Sequence, residues 1–303
     1  MSADNYLWGI DLGGTKIEGV IIDRNDFNKI IFRNRIDTEG DKGYDHVLSR
    51  IKILVDLMEK ETGAQCEVLG IGTPGAIDPH TGLLKNSNST SLNHKPFLED
   101  LISVLEKEVV IANDANCFAL AEAKLGSVQD IAPNAEVVFG VIMGTGVGGG
   151  VVVNGKVVKG FQGIAGEWGH NFLDTSGGPC YCGKSGCVET ILSGPSLERF
   201  YESVSGSKKK LKNIVADLAT DKYAKDTIDR LHHFFGIGIS TIINTLDPEV
   251  IVIGGGVGNI TSIYTEGVEK AKEFTFNTRF DTHIIAPKLG DSAGVFGAAL
   301  LTL

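Results

Sequence analysis

No apolar run in the 303-residue chain approaches the ~20 residues needed to span a bilayer, and the first residues lack the basic-then-apolar profile of a secretory signal. A membrane partner is therefore not expected, and a cytoplasmic location is. The chain also has no concentrated basic stripe beyond Lys208–Lys210, and its net charge is −10. That balance disfavours non-specific binding to nucleic acid. Nor do the five cysteines read as a disulfide framework, since Cys66 and Cys117 stand alone inside apolar segments.

What is present is an ordinary globular composition, 42% apolar and 22% charged, long enough for two domains. The 39 glycines are clustered, which points to close backbone approach to a ligand. The other three cysteines fall in one stretch, Glu167 to Glu189 (EWGHNFLDTSGGPCYCGKSGCVE). There His170, Cys180, Cys182 and Cys187 follow the spacing His-x9-Cys-x-Cys-x4-Cys, with Gly183 and Gly186 allowing tight turns. Three thiolates and an imidazole make the closed shell of a structural Zn2+ site.

In chain order, Tyr6 to Ile10 reads as a strand ending at Asp11. The turn Leu12-Gly13-Gly14-Thr15-Lys16 and a second strand, Ile17 to Ile22, follow, with Ile30 to Ile36 able to pair alongside. Such a tip is either a plain hairpin turn or a cradle of N–H groups, a hydroxyl and a lysine for phosphate oxygens. In the second case Asp11 reaches Mg2+ through water. Val47, Leu48, Ile51, Leu54, Val55 and Met58 recur at helical spacing, predicting a helix over 45–62. A buried strand over 68–72 leads to Thr73-Pro74-Gly75. The polar loop 85–93 (KNSNSTSLN), a helix over 97–107 and a strand over 109–112 come next. At Asn113-Asp114-Ala115-Asn116 that strand meets a helix. Either Asn113 or Asp114 simply caps the helix, or Asp114 stands at the edge where α/β sheets bind ligands.

Val137 to Met143 opens a similar second block: the glycine-rich run 144–150, Val151 to Val153, then Asn154-Gly155, a type I′ hairpin signal. Two weakly similar halves with facing phosphate-type turns predict a nucleotide held in a cleft between domains. Two tempting motifs fail. Gly144, Gly146 and Gly149 satisfy GxGxxG, but a strand follows where a dinucleotide fingerprint needs a helix. Gly178 to Ser185 spells a P-loop, but no strand precedes it and Cys180 and Cys182 occupy its interior. After the metal loop, Gly194-Pro195 opens a helix, followed by a lysine-rich polar segment and a long helix over 224–246. A strand over 250–253 delivers Gly254-Gly255-Gly256-Val257, either a bare surface for a purine or a tight turn. A helix over 262–274 and a strand over 284–286 precede Asp291-Ser292, which read as the N-cap of a final helix packing back on the N-terminal domain.

Taken together, DLGGTK at Asp11 to Lys16, NDAN at 113–116, GTG at 144, GEWGH at 166–170, the CxCGxxGCxE block and GGGV at 254 resemble the ROK family of sugar kinases over nearly the whole chain. The resemblance implies an α/β, two-domain actin/hexokinase-like ATPase fold, ribonuclease H-like in its parts, with a nucleotide and sugar cleft between domains. The small domain is expected at 1–112 with a helix from 291–303, and the large one at 113–290 with the zinc loop at 170–187. It implies transfer of the ATP γ-phosphoryl, with Mg2+, to a hexose 6-hydroxyl. Asp114 matches the catalytic base; Gly75, Asn113, Glu167, His170 and Glu189 match sugar-site residues. ATP falls to Asp11, Gly13, Gly14, Thr15, Lys16, Gly144, Thr145, Gly146, Gly254, Gly255, Gly256 and Val257. A homodimer is implied by the family alone. With only ten residues before Asp11, the helix-turn-helix of repressor members is not expected. The loops look closest to fructokinase and mannokinase-type members, while NDANCFALAEA is equally similar to N-acetylglucosamine kinases; glucose is the third choice. A non-catalytic sugar sensor would be free to lose Asp114 and the phosphate turns. A zinc hydrolase would need an open metal position.

Overall fold

A computed structural model describes residues 5–303. In chain order the elements are β1 (Tyr6–Leu12), β2 (Lys16–Asp23), β3 (Ile30–Asp37), α1 (Tyr44–Thr62), β4 (Val68–Thr73), β5 (Ala76–Ile77), β6 (Leu84–Lys85), α2 (Phe97–Leu105), β7 (Glu108–Asn113) and α3 (Asp114–Lys124). There follow α4 (Ser127–Ile131), β8 (Val137–Met143), β9 (Val147–Val153), β10 (Lys156–Val157), α5 (Glu189–Leu192), α6 (Gly194–Ser205) and α7 (Leu211–Ala216). The chain closes with α8 (Lys222–Leu246), β11 (Val250–Gly254), α9 (Glu266–Phe274), β12 (His283–Ile285) and α10 (Ala293–Leu300).

Two five-stranded sheets share one plan, β3-β2-β1-β4-β7 and β10-β9-β8-β11-β12. In the first, β1, β2 and β3 are antiparallel neighbours, while β4 and β7 run parallel to β1 beyond the α1 and α2 crossovers. In the second, β11 runs parallel to both β8 and β12. β11 (VIVIG) is buried at every position, as a strand covered on both faces must be. Chain contacts define two compact units. One comprises the chain up to Gln129 with Gly150–Ala165 and Leu289–Leu303; the other comprises Asp130–Gly149 and Gly166–Lys288. The first unit thus runs on past the boundary at residue 112 that the motifs suggested.

Local chemistry accounts for most elements. The apolar stripe Val47, Leu48, Ile51, Leu54, Val55 and Met58 is the buried face of α1, and Gly63 ends that helix in the left-handed conformation. Asn154 and Gly155 both take positive φ, joining β9 to β10 as the type I′ signal requires. Asp221 caps α8 by accepting the N–H groups of Tyr223 and Ala224.

Three readings are corrected. Gly148, Gly149 and Gly150 lie inside β9, which begins at Val147 rather than at Val151. The expected helix over 262–274 is broken at Thr265 (φ −116°, ψ −83°), so a 3-10 turn at Thr261–Tyr264 precedes α9. Asp291-Ser292 does not cap the last helix. A 3-10 turn at Gly290–Ser292 runs straight into α10, and the Ser292 hydroxyl instead accepts from Arg33 Nη2. The lysine-rich segment also contains a helix, α7, whose short apolar face (Ile214 buried) was too brief to read.

α10 packs on β1 and β4 through missing side chains. A methyl group on Gly70 would lie 1.8 Å from the Ala298 carbonyl oxygen, and one on Gly9 would lie 2.4 Å from the Ala299 nitrogen. Both obstacles are backbone, so nothing can rotate aside. Gly70→Ala is expected to destabilise the protein by about 2–3 kcal/mol or more through overpacking, read by urea unfolding. An unchanged midpoint would mean that α10 does not seat this closely.

Candidate active site

The parallel strands of the first sheet end together. Asp11 pairs in register with Gly72, and Thr73 with Asn113. The C-terminal ends of β1, β4 and β7 therefore present Asp11, Thr73-Pro74-Gly75 and Asn113-Asp114 along one edge, where open α/β sheets bind ligands. The cap at α3 belongs to Asn113, whose Oδ1 accepts the Ala115 N–H at 2.8 Å while its Nδ2 donates to the Gly75 carbonyl at 3.4 Å. Asp114 Oδ1 accepts the same N–H at 2.8 Å. With capping already supplied by Asn113, Asp114 is not needed to start the helix. Gly75 takes φ +83° with its Cα facing the Lys85 carbonyl, a fit closed to any side chain.

Asp11 is closely surrounded: a methyl group on Gly294 would lie 2.7 Å from its Oδ2, and one on Gly72 would lie 3.5 Å from its Oδ1. Loss of hydration, then the charges of Asp114 and Glu18, push its carboxyl up to about 7, partly offset by Arg35. Desolvation likewise raises Asp114, opposed by the Ala115 N–H and the Asn113 side chain. Asp114 keeps solvent-facing surface, which moderates its shift. Glu18 is buried but paired with Arg33 and Arg35 from β3.

The Gly-Gly-Thr tip lines a cavity of about 520 Å³ with Thr38, Asp41 and the polar segment Asn88–Leu92. Gly13 spends its N–H on closing the hairpin to the Lys16 carbonyl (2.9 Å), and its carbonyl accepts from Thr38 Oγ1 (2.7 Å). Gly14, Thr15 and Lys16 stay exposed. The polar loop is internally ordered: Asn93 accepts the Ser87 N–H and donates back to the Ser87 carbonyl.

In the other unit a cavity of about 680 Å³ is lined by Gly144, Thr145, Gly256 and Val257. Gly254 ends β11, and Gly255 (φ +84°) turns against the Met143 backbone; neither lines the cavity. The remaining walls were not read from the sequence. Pro195, Leu211, Val215 and Ile260 are apolar, and Glu198, Lys210, Lys212 and Asn259 are polar. Only the apolar run of α7 and the proline at the start of α6 hinted at them. Apolar walls with a few polar groups suit a nucleobase.

The glycines of β9 serve packing. Trp168 is buried, donates to the Gly148 carbonyl at 3.0 Å and sits where a methyl group on Gly149 would be. Next to it, His170, Cys180, Cys182 and Cys187 bring one donor atom each within 4.8 Å of one another. Cys182 and Cys187 sulfurs lie 3.7 Å apart, and Cys180 Sγ lies 3.6 Å from His170 Nδ1. A tetrahedral zinc with ~2.3 Å bonds to sulfur and ~2.0 Å to nitrogen needs edges of about 3.5–3.8 Å, which those two separations match, so the donor set is compatible with that ion. Nδ1 is the His170 nitrogen that faces the cluster, and Nε2 lies 3.0 Å from the Tyr181 hydroxyl. Glu189, two residues after Cys187, accepts the Val147 N–H through Oε2 at 2.9 Å. Glu167 stands just before the 3-10 turn Trp168–His170.

Duplicated sheets with acids and glycine turns at the strand ends define an actin-like ATPase fold. Two crystal structures share it: a ROK hexokinase from Thermus thermophilus (30% identity, TM-score 0.87, covering 98% of this chain and 97% of that one), and a ROK glucokinase from Streptomyces griseus in complex with glucose and AMPPNP (26%, TM-score 0.74, covering 97% and 98%). The ROK family model matches residues 7–303. N-acetyl-D-glucosamine kinases from Mannheimia succiniciproducens (37% identical, covering 98% of this chain and 99% of that protein) and Histophilus somni (36%, covering 98% of each) are similar over their whole length. The chain belongs to the ROK family.

The raised Asp11 carboxyl has a stability consequence. Its folded pKa lies above the unfolded value, so the native state holds the extra proton between about pH 4 and pH 7. Stability contributed by the protonated form is present at low pH and is lost as pH rises through 7. Asp11→Asn should therefore raise the melting temperature at pH 8, by up to about 4 kcal/mol of stability, and much less at pH 4. Equal effects at both pH values would contradict the shift.

Proposed function

We propose that this chain transfers the γ-phosphoryl of ATP to the 6-hydroxyl of N-acetylglucosamine. It is a sugar kinase, and the hexose is the finer step. Full-length similarity to two N-acetyl-D-glucosamine kinases supports that sugar over the fructose or mannose suggested by loop resemblance.

The observation that carries the chemistry is Asp114, a carboxylate beside the end of β7 that shares the Ala115 N–H with Asn113 and whose proton affinity is raised by loss of hydration. Accepting the hydroxyl proton as the new P–O bond forms is worth ~10²–10⁴-fold in rate. Asn113 and Gly75 hold Asp114's surroundings, Glu167 and Glu189 are assigned to the sugar hydroxyls, and His170, with Nδ1 toward the cysteines and Nε2 toward Tyr181, is assigned to ordering that site. Gly14, Thr15, Lys16, Gly144 and Thr145 are assigned to phosphates, with Gly13 and Gly146 shaping those turns. Gly256 and Val257, with Pro195 and Leu211, take the base; Gly254 and Gly255 aim that turn. Asp11 would hold Mg2+ through water, and when bound the ion supplies charge neutralisation on the phosphate oxygens. A structural Zn2+ on His170, Cys180, Cys182 and Cys187 would fix the loop that carries the sugar-binding acids.

An ADP-release assay over N-acetylglucosamine, fructose, mannose and glucose should give the highest kcat/KM with N-acetylglucosamine. Asp114→Asn should keep sugar affinity and lose ~10²-fold or more in kcat. No turnover with any of the four sugars would sink the kinase reading; near-wild-type turnover by the variant would remove Asp114 as base. Elemental analysis should find about one zinc per chain, and its removal should weaken sugar binding. Full sugar affinity in the metal-free protein would leave the cysteine cluster without that role.

A further inference from the structure

The acid two residues beyond the last cysteine faces the glycine turn rather than open solvent. Glu189 Oε2 accepts the Val147 N–H at 2.9 Å, and it is the atom a methyl group on Gly146 would meet, at 2.6 Å. The turn is held from its other end as well. The Gly194 N–H donates to the Gly144 carbonyl at 2.8 Å, while Gly144 N–H closes onto the Gly146 carbonyl at 2.9 Å. Both ties come from α5 and the residue pair that follows it. Glu189 is the first residue of that helix, and its own carbonyl accepts from Ser193 N and Ser196 Oγ. Thus Gly144-Thr145-Gly146 is clamped at its start by a backbone N–H and at its end by a carboxylate.

We infer that Glu189 is a positioning residue for the nucleotide as well as a sugar-site residue, setting the Gly144–Gly146 turn through its bond to Val147 N–H. This rests on the assignment of that turn to ATP phosphates. A charged acceptor on a backbone N–H is among the stronger neutral-donor bonds, and it leaves a second carboxylate oxygen for a sugar hydroxyl. Cys187 lies two residues before Glu189, so the loop gathered by the metal donors ends on the residue that sets the phosphate turn. Gly146 is then glycine because a side chain there would displace the carboxylate.

The two jobs separate by substitution. Glu189→Gln keeps a carbonyl oxygen able to accept from Val147 and loses the charge; Glu189→Ala loses both. Binding of AMPPNP with Mg2+, without sugar, would be followed by titration calorimetry on the full chain. Glu189→Ala should weaken it by about tenfold, whereas Glu189→Gln should stay within about threefold of wild type. Gly146→Ala, which keeps residue 189 as glutamate but pushes its carboxylate off the Val147 N–H, should weaken nucleotide binding like Glu189→Ala, so the inference remains testable where Glu189→Ala fails to fold. Sugar affinity should fall in both Glu189 variants. Folded Glu189→Ala or Gly146→Ala binding AMPPNP as wild type does would overturn the inference, as would equal losses in Glu189→Ala and Glu189→Gln. Failure of the wild-type protein to bind AMPPNP would overturn the nucleotide assignment itself.

Discussion

Three thiols and one imidazole lie within 4.8 Å of one another in the segment between Trp168 and Glu189, and the path of that segment depends on them. That segment has almost no regular structure: two 3-10 turns, at Trp168–His170 and Thr175–Gly177, and two isolated bridges, Phe172–Cys187 and Pro179–Ser185. Its larger apolar side chains face water, with Phe172 and Tyr181 both exposed. Little burial is therefore available to offset the entropy of ordering it. Backbone bonds such as Leu173 N–H to Gly186 (2.7 Å) and glycines with positive φ at 178, 183 and 186 shape the path. A cation on the donors would supply what packing does not.

The first sheet solves a different problem, bringing a helix close enough to its strands to sit beside the acids. α10 does so with backbone against backbone, at Gly9 and Gly70 on the strands and at Gly297, where a methyl group would lie 1.8 Å from the Cys117 carbonyl oxygen. One consequence reaches the chemistry. Gly294, at the start of the same helix, stands against Asp11, so the packing that seats α10 also strips water from that carboxyl. That desolvation destabilises the charged form of the acid.

Charge near Asp11 is balanced rather than concentrated. Asp114 and Glu18 raise its proton affinity and Arg35 lowers it, while Glu18 itself is held by two arginines from β3. An acidic protein can bind a polyphosphate when local N–H donors and a divalent ion carry the neutralisation, so net charge says little about this site.

Much of the fold was legible because periodicity and turn chemistry are local. The stripe of α1, the Asn154-Gly155 hairpin, the apolar β11 and the donor spacing of the metal loop follow from residues a few positions apart. Asp11 and Asp114 were legible for the same reason, each standing at the end of an apolar strand. What local pattern left open was the division of labour among neighbours. Whether Asn113 or Asp114 caps α3, whether a given glycine meets a ligand or a tryptophan, and which polar atom Glu189 answers depend on contacts up to 42 residues apart along the chain. The cavity walls at Leu211, Val215 and Ile260 come from separate elements with no shared motif. Sequence by itself determined which groups could act, since side-chain chemistry travels with the residue. Only the tertiary structure decided which of them are already occupied, because a hydrogen-bond partner or a steric limit exists only once distant backbone has been brought within a few ångströms.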